Sequence, residues 1–212
     1  MTKAAGGGIE RLLIFSDAVV AIAITLLALD LPVPTGATSH ELWSSVRANS
    51  GSYGAFLVSF LVIAASWTQH HSFFGYVERS DARLQSIQFA WLFTIILNPF
   101  ITKLLTEHGH QDSAVHAWRF VAYSVLQVIS SATVLALVYH VRSAHLLSKN
   151  QEAQRAAKAT LRACLVSIAG FAVAAPVFFA TRYAWTIWIA APLLAALNRR
   201  RTQGAKRAEE LP

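Results

Sequence analysis

The chain has 212 residues, 55% of them hydrophobic and only 14% charged, with a mean hydropathy of +0.45. Soluble domains carry about 25% charged residues, so the composition excludes an ordinary soluble domain and predicts an all-α membrane protein. The net charge of +7 reads as basic loops that set topology and meet anionic lipid, not as a nucleic-acid surface.

Six apolar segments follow one another, over residues 12–31, 54–74, 84–105, 117–140, 161–180 and 183–198. The linkers are short. The pattern predicts one six-helix transmembrane domain over residues 1–212, with a basic cytoplasmic tail from about residue 199 to 212. Pro176 and Pro192 fall inside the last two segments, which membrane helices tolerate. With both termini in the cytoplasm, only Arg47, Lys103, Arg119 and Arg182 of the 18 Lys and Arg residues lie outside. That bias sets the orientation. A cleavable signal peptide is the rival reading of the first segment; Asp17 in its apolar core and the further spans argue against it.

The first segment, RLLIFSDAVVAIAITLLALDLP over residues 11–32, carries Asp17 inside an apolar run. The uncharged stretch from Ala18 to Leu29 covers about 18 Å as a helix. A bilayer core of ~30 Å needs more, so a spanning helix takes Asp17 below the membrane surface. An intramembrane carboxylate is costly and marks a functional site with a partner. On the same helix Ile22, Leu26 and Leu29 are spaced i, i+4, i+7 and share a face. Ala21, Thr25 and Ala28 form a neighbouring strip of small residues. The plainest reading turns the aliphatic face to lipid and packs the small one. Asp17 argues for more, because a simple anchor needs no buried acid.

The second segment runs from outside to inside and brings Trp67, Gln69, His70 and His71 to the depth of Asp17. These supply hydrogen-bond donors, and Arg11 and Ser16 lie near Asp17 in the chain. The preceding GSYG, residues 51–54, faintly resembles a potassium-filter sequence, but a helix starts at once after it, so it reads as a turn. After the third segment, Glu107, His108, His110, Asp112 and His116 form a histidine-rich outer loop. Their spacing is irregular, and no metal site is expected. His70, His71 and His140 sit at helix ends, not at facing mid-membrane positions, which argues against a b-type haem. Cys164 is alone and is read as a packing residue. There is no arginine at every third position for a voltage sensor. There is also no nucleotide-binding glycine loop, no HExxH and no placeable Ser–His–Asp set, so no enzyme is expected.

Arg11, Phe15, Ser16 and Asp17 open a pattern that continues through Ala21, Ile22, Thr25, Leu26 and Pro32. Ser59, Phe60, Trp67, His70 and His71 follow in the second segment, and Pro99 and Phe100 close the third. Over residues 11–100 the sequence resembles the bacterial relatives of the endosomal/lysosomal potassium channel, transmembrane protein 175. Gln69 and Gln88 depart from the pattern, standing where relatives often have Asn. The resemblance implies a homotetramer of six-helix subunits in a prokaryotic plasma membrane, with the first helices lining a central pore. It implies potassium and other monovalent cations as permeants, modest potassium-over-sodium selectivity and no cofactor. The narrowest ring matches Ile22, followed outward by Leu26 and Leu29, with Thr25 offering hydroxyls to the ion. Arg11, Phe15, Ser16, Asp17, Trp67, His70 and His71 would form a polar clasp behind the pore. Two alternatives remain open: a proton pathway or secondary transporter using Asp17 and His70, and a structural membrane protein without transport.

Overall fold

The computed structural model describes residues 3–107 and 113–180. Among them are six α-helices: α1 (Lys3–Leu29), α2 (Ser39–Ala48), α3 (Ser50–Phe74), α4 (Ala82–Thr106), α5 (Ser113–Ser143) and α6 (Gln151–Ala180). Five are long and apolar enough to cross a membrane; α2 is not. These five match the first five apolar segments. The sixth expected segment, residues 183–198, lies outside the described residues, as do His108, His110, Asp112 and the basic tail.

The start of α6 and the loop after the first span differ from the hydropathy reading. The fifth span starts at Gln151 rather than near residue 161, because Ala153, Ala157, Thr160 and Cys164 form a buried stripe that continues through polar sequence. Asn150 caps it, its Oδ1 accepting from Ala153 N at 2.7 Å,. The loop after the first span contains α2, held by a capping box in which Thr38 and Glu41 each satisfy the other's backbone,. Gly36 makes that turn sterically possible: a Cβ there would come within 2.5 Å of Leu42 N.

Helix α4 lies between α1, α3 and α5, while α6 packs on α5 and α3. Three layers of buried side chains fill the bundle. At the end where α1 begins, called the base here, Ile9, Phe73, Leu84, Val141 and Ala153 meet. Val20, Ile63, Trp91, Ile95 and Cys164 fill the middle. Phe120, Tyr123, Phe171 and Ala174 fill the far end. The two base loops are stitched together: Glu78 N donates to Leu146 O and Ser148 N to Tyr76 O, each at 2.9 Å. His145 takes a left-handed φ of 55° at the end of α5, and Leu146 N returns to Val141 O, closing that helix end. Pro99 interrupts α4 without breaking it. Hydroxyls of Thr94 and Thr102 and the amide of Asn98 bond nearby carbonyls of the same helix,.

Candidate functional site: the two faces of the first helix

Helix α1 buries Ile9, Ser16, Val20, Ala23 and Leu27. That stripe repeats every three to four residues and faces α3 and α4. The opposite face carries Ile22, Leu26 and Leu29, which are 59, 43 and 80% exposed. Ala18, Ala21, Thr25 and Ala28 are exposed beside them. Ile24 is half-buried and packs into the middle core layer. The expected constriction residues therefore share a face that this chain leaves uncovered. Thr25 Oγ1 donates to Ile22 O at 2.8 Å, which leaves its oxygen lone pairs free on the exposed side.

Behind that face runs a polar chain. Ser16 Oγ donates to Leu12 O at 2.7 Å and accepts from Gln88 Nε2 at 2.8 Å. Gln88 Oε1 lies 2.7 Å from His70 Nε2. Since the Gln88 amide nitrogen is committed to Ser16, its oxygen must accept, so His70 carries its proton on Nε2. The His70 ring is stacked on Trp91, with centroids 4.1 Å apart and planes 7° apart, and on Phe74 at 4.3 Å. All of Ser16, His70 and Gln88 are buried. The buried His70 ring is thus held by stacking on both sides and by Gln88 at Nε2.

Asp17 sits at the edge of this chain. Its Oδ1 accepts from Trp67 Nε1 at 2.7 Å and lies 3.6 Å from His71 Nδ1. The side chains of Asp17 and His71 are 38 and 46% exposed. Phe15 meets Phe89 edge-on at 6.0 Å. The remaining expected members go elsewhere. Arg11 is exposed and forms no ion pair among the described residues. Gln69 turns to α6, its Nε2 donating to Thr160 O at 2.8 Å and reaching Cys164 Sγ at 3.4 Å.

Two features went unforeseen. At its far end α1 is tied to α4 by Lys103 Nζ and Asp30 Oδ1, 2.9 Å apart. A second polar layer joins α3, α4 and α5: Ser59 Oγ meets Thr102 Oγ1 at 2.8 Å and Tyr123 OH at 3.2 Å. In the same layer Gln127 Nε2 donates to Asn98 Oδ1 at 2.8 Å. The i, i+4 spacing of Thr94, Asn98 and Thr102 was the available signal. Of the outer-loop set only Glu107 and His116 are described, and no group of three metal-capable side chains occurs among the described residues. His140 pairs with Asp81 instead.

Five membrane-length helices, with a first helix anchored by polar groups on one face and left aliphatic on the other, define a polytopic membrane protein. The family described as "Endosomal/lysosomal potassium channel TMEM175" matches residues 11–99. A potassium channel of Streptomyces collinus is 38% identical over 155 residues, spanning 73% of this chain and 75% of that relative. One of Chamaesiphon minutus is 37% identical over 127 residues, 55% of this chain and 61% of that one. A crystal structure of a lysosomal potassium-selective channel TMEM175 homolog from Chamaesiphon minutus superposes with a TM-score of 0.73 at 26% identity. That superposition covers 92% of this chain and 98% of the other. The chain belongs to the TMEM175 family, a family of ion channels rather than enzymes.

Proposed function

We propose that the chain is a potassium-permeable cation channel of a prokaryotic plasma membrane. Four copies of a single six-span domain assemble with both termini in the cytoplasm and their α1 helices around a central pore. The potassium-channel relatives support the permeant ion. The observation that carries the pore assignment is the exposed aliphatic stripe of α1, opposite a face fixed by hydrogen bonds. One such helix cannot enclose a path by itself, so the pore needs several copies. Ile22 forms the narrowest ring, with Leu26 and Leu29 beyond it, and Thr25 presents hydroxyl oxygen to the ion.

A ring of aliphatic side chains closes such a pore by dewetting, since a narrow apolar gap does not hold water. The clasp of Ser16, Asp17, Trp67, His70 and His71, with Gln88, fixes how α1 turns the ring inward. Arg11 and Phe15 flank it. Opening then requires only a small rotation or outward shift of α1. Selectivity is modest, because α1 offers the ion side chains rather than a ring of backbone carbonyls. No cofactor takes part.

The test is current through purified protein in a planar bilayer under a potassium–sodium gradient. A reversal potential displaced toward that of potassium supports the reading. Folded tetramers that pass no potassium remove it. Current that instead follows an imposed proton gradient assigns Asp17 and the adjoining histidines to a proton pathway.

A further inference from the structure

Helix α6 changes chemistry along one outward face. Arg155, Lys158 and Arg162 are exposed near its start. Leu165, Val166 and Val173 continue the face toward the far end and are exposed as well. At 3.6 residues per turn, these six side chains fall within roughly 100° around the helix axis. The other side of α6 is the buried stripe of Ala153, Ala157, Thr160 and Cys164. The depth is fixed by Gln69, which donates to Thr160 O. Arg162, two residues on, therefore sits level with the α3 segment that holds Trp67 and His70.

Three cations thus climb about 10 Å from the base into the start of the apolar layer. None has an ion pair among the described residues. The acid nearest in sequence, Glu152, stands on an adjoining face and also has none. A cation at this depth needs an anion or a route back to water. Among the described residues no anion pairs with these cations, and the exposed aliphatic track above them can lie against a hydrocarbon chain.

We infer that this face of α6 is a binding site for an anionic phospholipid. Arg155, Lys158 and Arg162 hold the phosphate headgroup, and an acyl chain lies along Leu165, Val166 and Val173. Arginine suits this role because its planar fork matches phosphate oxygens. Helix α6 packs on α5 and α3, whereas α1 packs on α4 and α3. The lipid therefore lies on the side of α6 turned away from its helix neighbours and away from α1. The inference holds whether or not the chain conducts.

The experiment is native mass spectrometry of the full chain in neutral detergent, titrated with dioleoyl phosphatidylglycerol or dioleoyl phosphatidylcholine, alongside melting temperature. A cation beside an anionic lipid surface is worth roughly a fivefold preference, so the chain should retain phosphatidylglycerol about fivefold or more over phosphatidylcholine. It should also melt higher with the anionic lipid. The variant Arg155→Gln/Lys158→Gln/Arg162→Gln should lose both effects. Arg79→Gln/Arg142→Gln/Lys149→Gln, which removes the same charge from exposed positions at or near the base loops, should keep most of them. Arg162→Lys should keep more than Arg162→Gln, which guards against misfolding of the triple variant. Soluble glycerol 3-phosphate should not raise the melting temperature. No preference in the parent chain, a preference surviving the α6 triple variant, or equal loss in the control would overturn the site. Stabilisation by glycerol 3-phosphate equal to that by the lipid would make it a free-phosphate site and overturn the lipid assignment.

Discussion

The indole nitrogen of Trp67 donates to Asp17 Oδ1 at 2.7 Å across the α1–α3 contact. This is the direct bond that compensates the acid inside the first span, with His71 0.9 Å further out. A hydrogen bond to a charged group contributes roughly 1.5–3 kcal/mol. Trp67→Phe keeps the ring and removes the donor, and should cost about that much stability. Arg11→Ala should be near neutral, since Arg11 is exposed. Thermal melts of both variants, with Asp17→Asn to complete a double-mutant cycle, check this. A neutral Trp67→Phe, or an Arg11→Ala as damaging as Asp17→Asn, would show that the acid is held by something else.

Gln88 is the link between Ser16 and His70. Gln88→Leu fills the same space but strands the His70 N–H in a buried site, at a cost of about 1–3 kcal/mol. Gln88→Asn is one methylene shorter. It cannot reach both partners without backbone movement, and should fall between the parent and Gln88→Leu. Denaturant titration of the three proteins orders them. If Gln88→Leu is as stable as the parent, the buried chain carries no structural weight.

Asp81 links the start of α4 to α5. It accepts from Leu84 N at 2.7 Å and from His140 Nε2 at 2.9 Å. The Leu84 backbone bond, followed by the His140 bond, holds its carboxyl below the ordinary carboxylate range. A carboxylate whose folded pKa is depressed adds stability above its unfolded pKa. That stability is lost as pH falls through the folded value. The parent protein should therefore lose stability below about pH 4, the unperturbed Asp value, more steeply than Asp81→Asn. Asn still caps the helix, so the difference isolates the charge. Melting temperatures of both proteins from neutral pH to about pH 3 should converge at the acid end. Parallel curves would show that the Asp81 charge is unused.

Much of α1 was legible in the sequence because both its faces repeat at the helical period. That period alone puts Ile22, Leu26 and Leu29 together, and the length of the apolar run alone puts Asp17 at depth. Trp67 was legible as a donor at the right level. The turn of α3 about its own axis was not, so Gln69 was grouped with Trp67 although it points to α6. Hydropathy missed α2, a short helix of mixed polar and apolar residues with none buried, even though its Thr38–Glu41 capping box stands in the sequence. It also missed the first turns of α6, where alanines rather than large residues are buried. The layer of Ser59, Asn98, Thr102 and Gln127 was hidden for a related reason. Inside apolar segments polar residues register as interruptions, and only tertiary packing reveals that they meet.

Ile22 and Ile24 separate the proposed pore face from the packing face. Ile22 is 59% exposed and Ile24 packs into the middle core layer. Two residues apart, they are turned about 200° from each other around the helix. If the exposed face lines a dewetted constriction, Ile22→Asn introduces polar groups that hold water there, lowering the barrier without moving the backbone. Potassium conductance or open probability should rise. Leu26→Asn and Leu29→Asn should give weaker increases if their rings are wider. Ile24→Asn instead puts an amide against the middle core layer, where an unsatisfied polar group costs about 1–3 kcal/mol. It should lower yield and melting temperature without raising current. Single-channel recordings in symmetric potassium, beside melting curves for all four variants, give the answer. Raised current in Ile24→Asn with none in Ile22→Asn would mean that α1 turns its other face to the ion path. Unchanged current in all four, from folded tetramers that do conduct, would place the constriction outside α1.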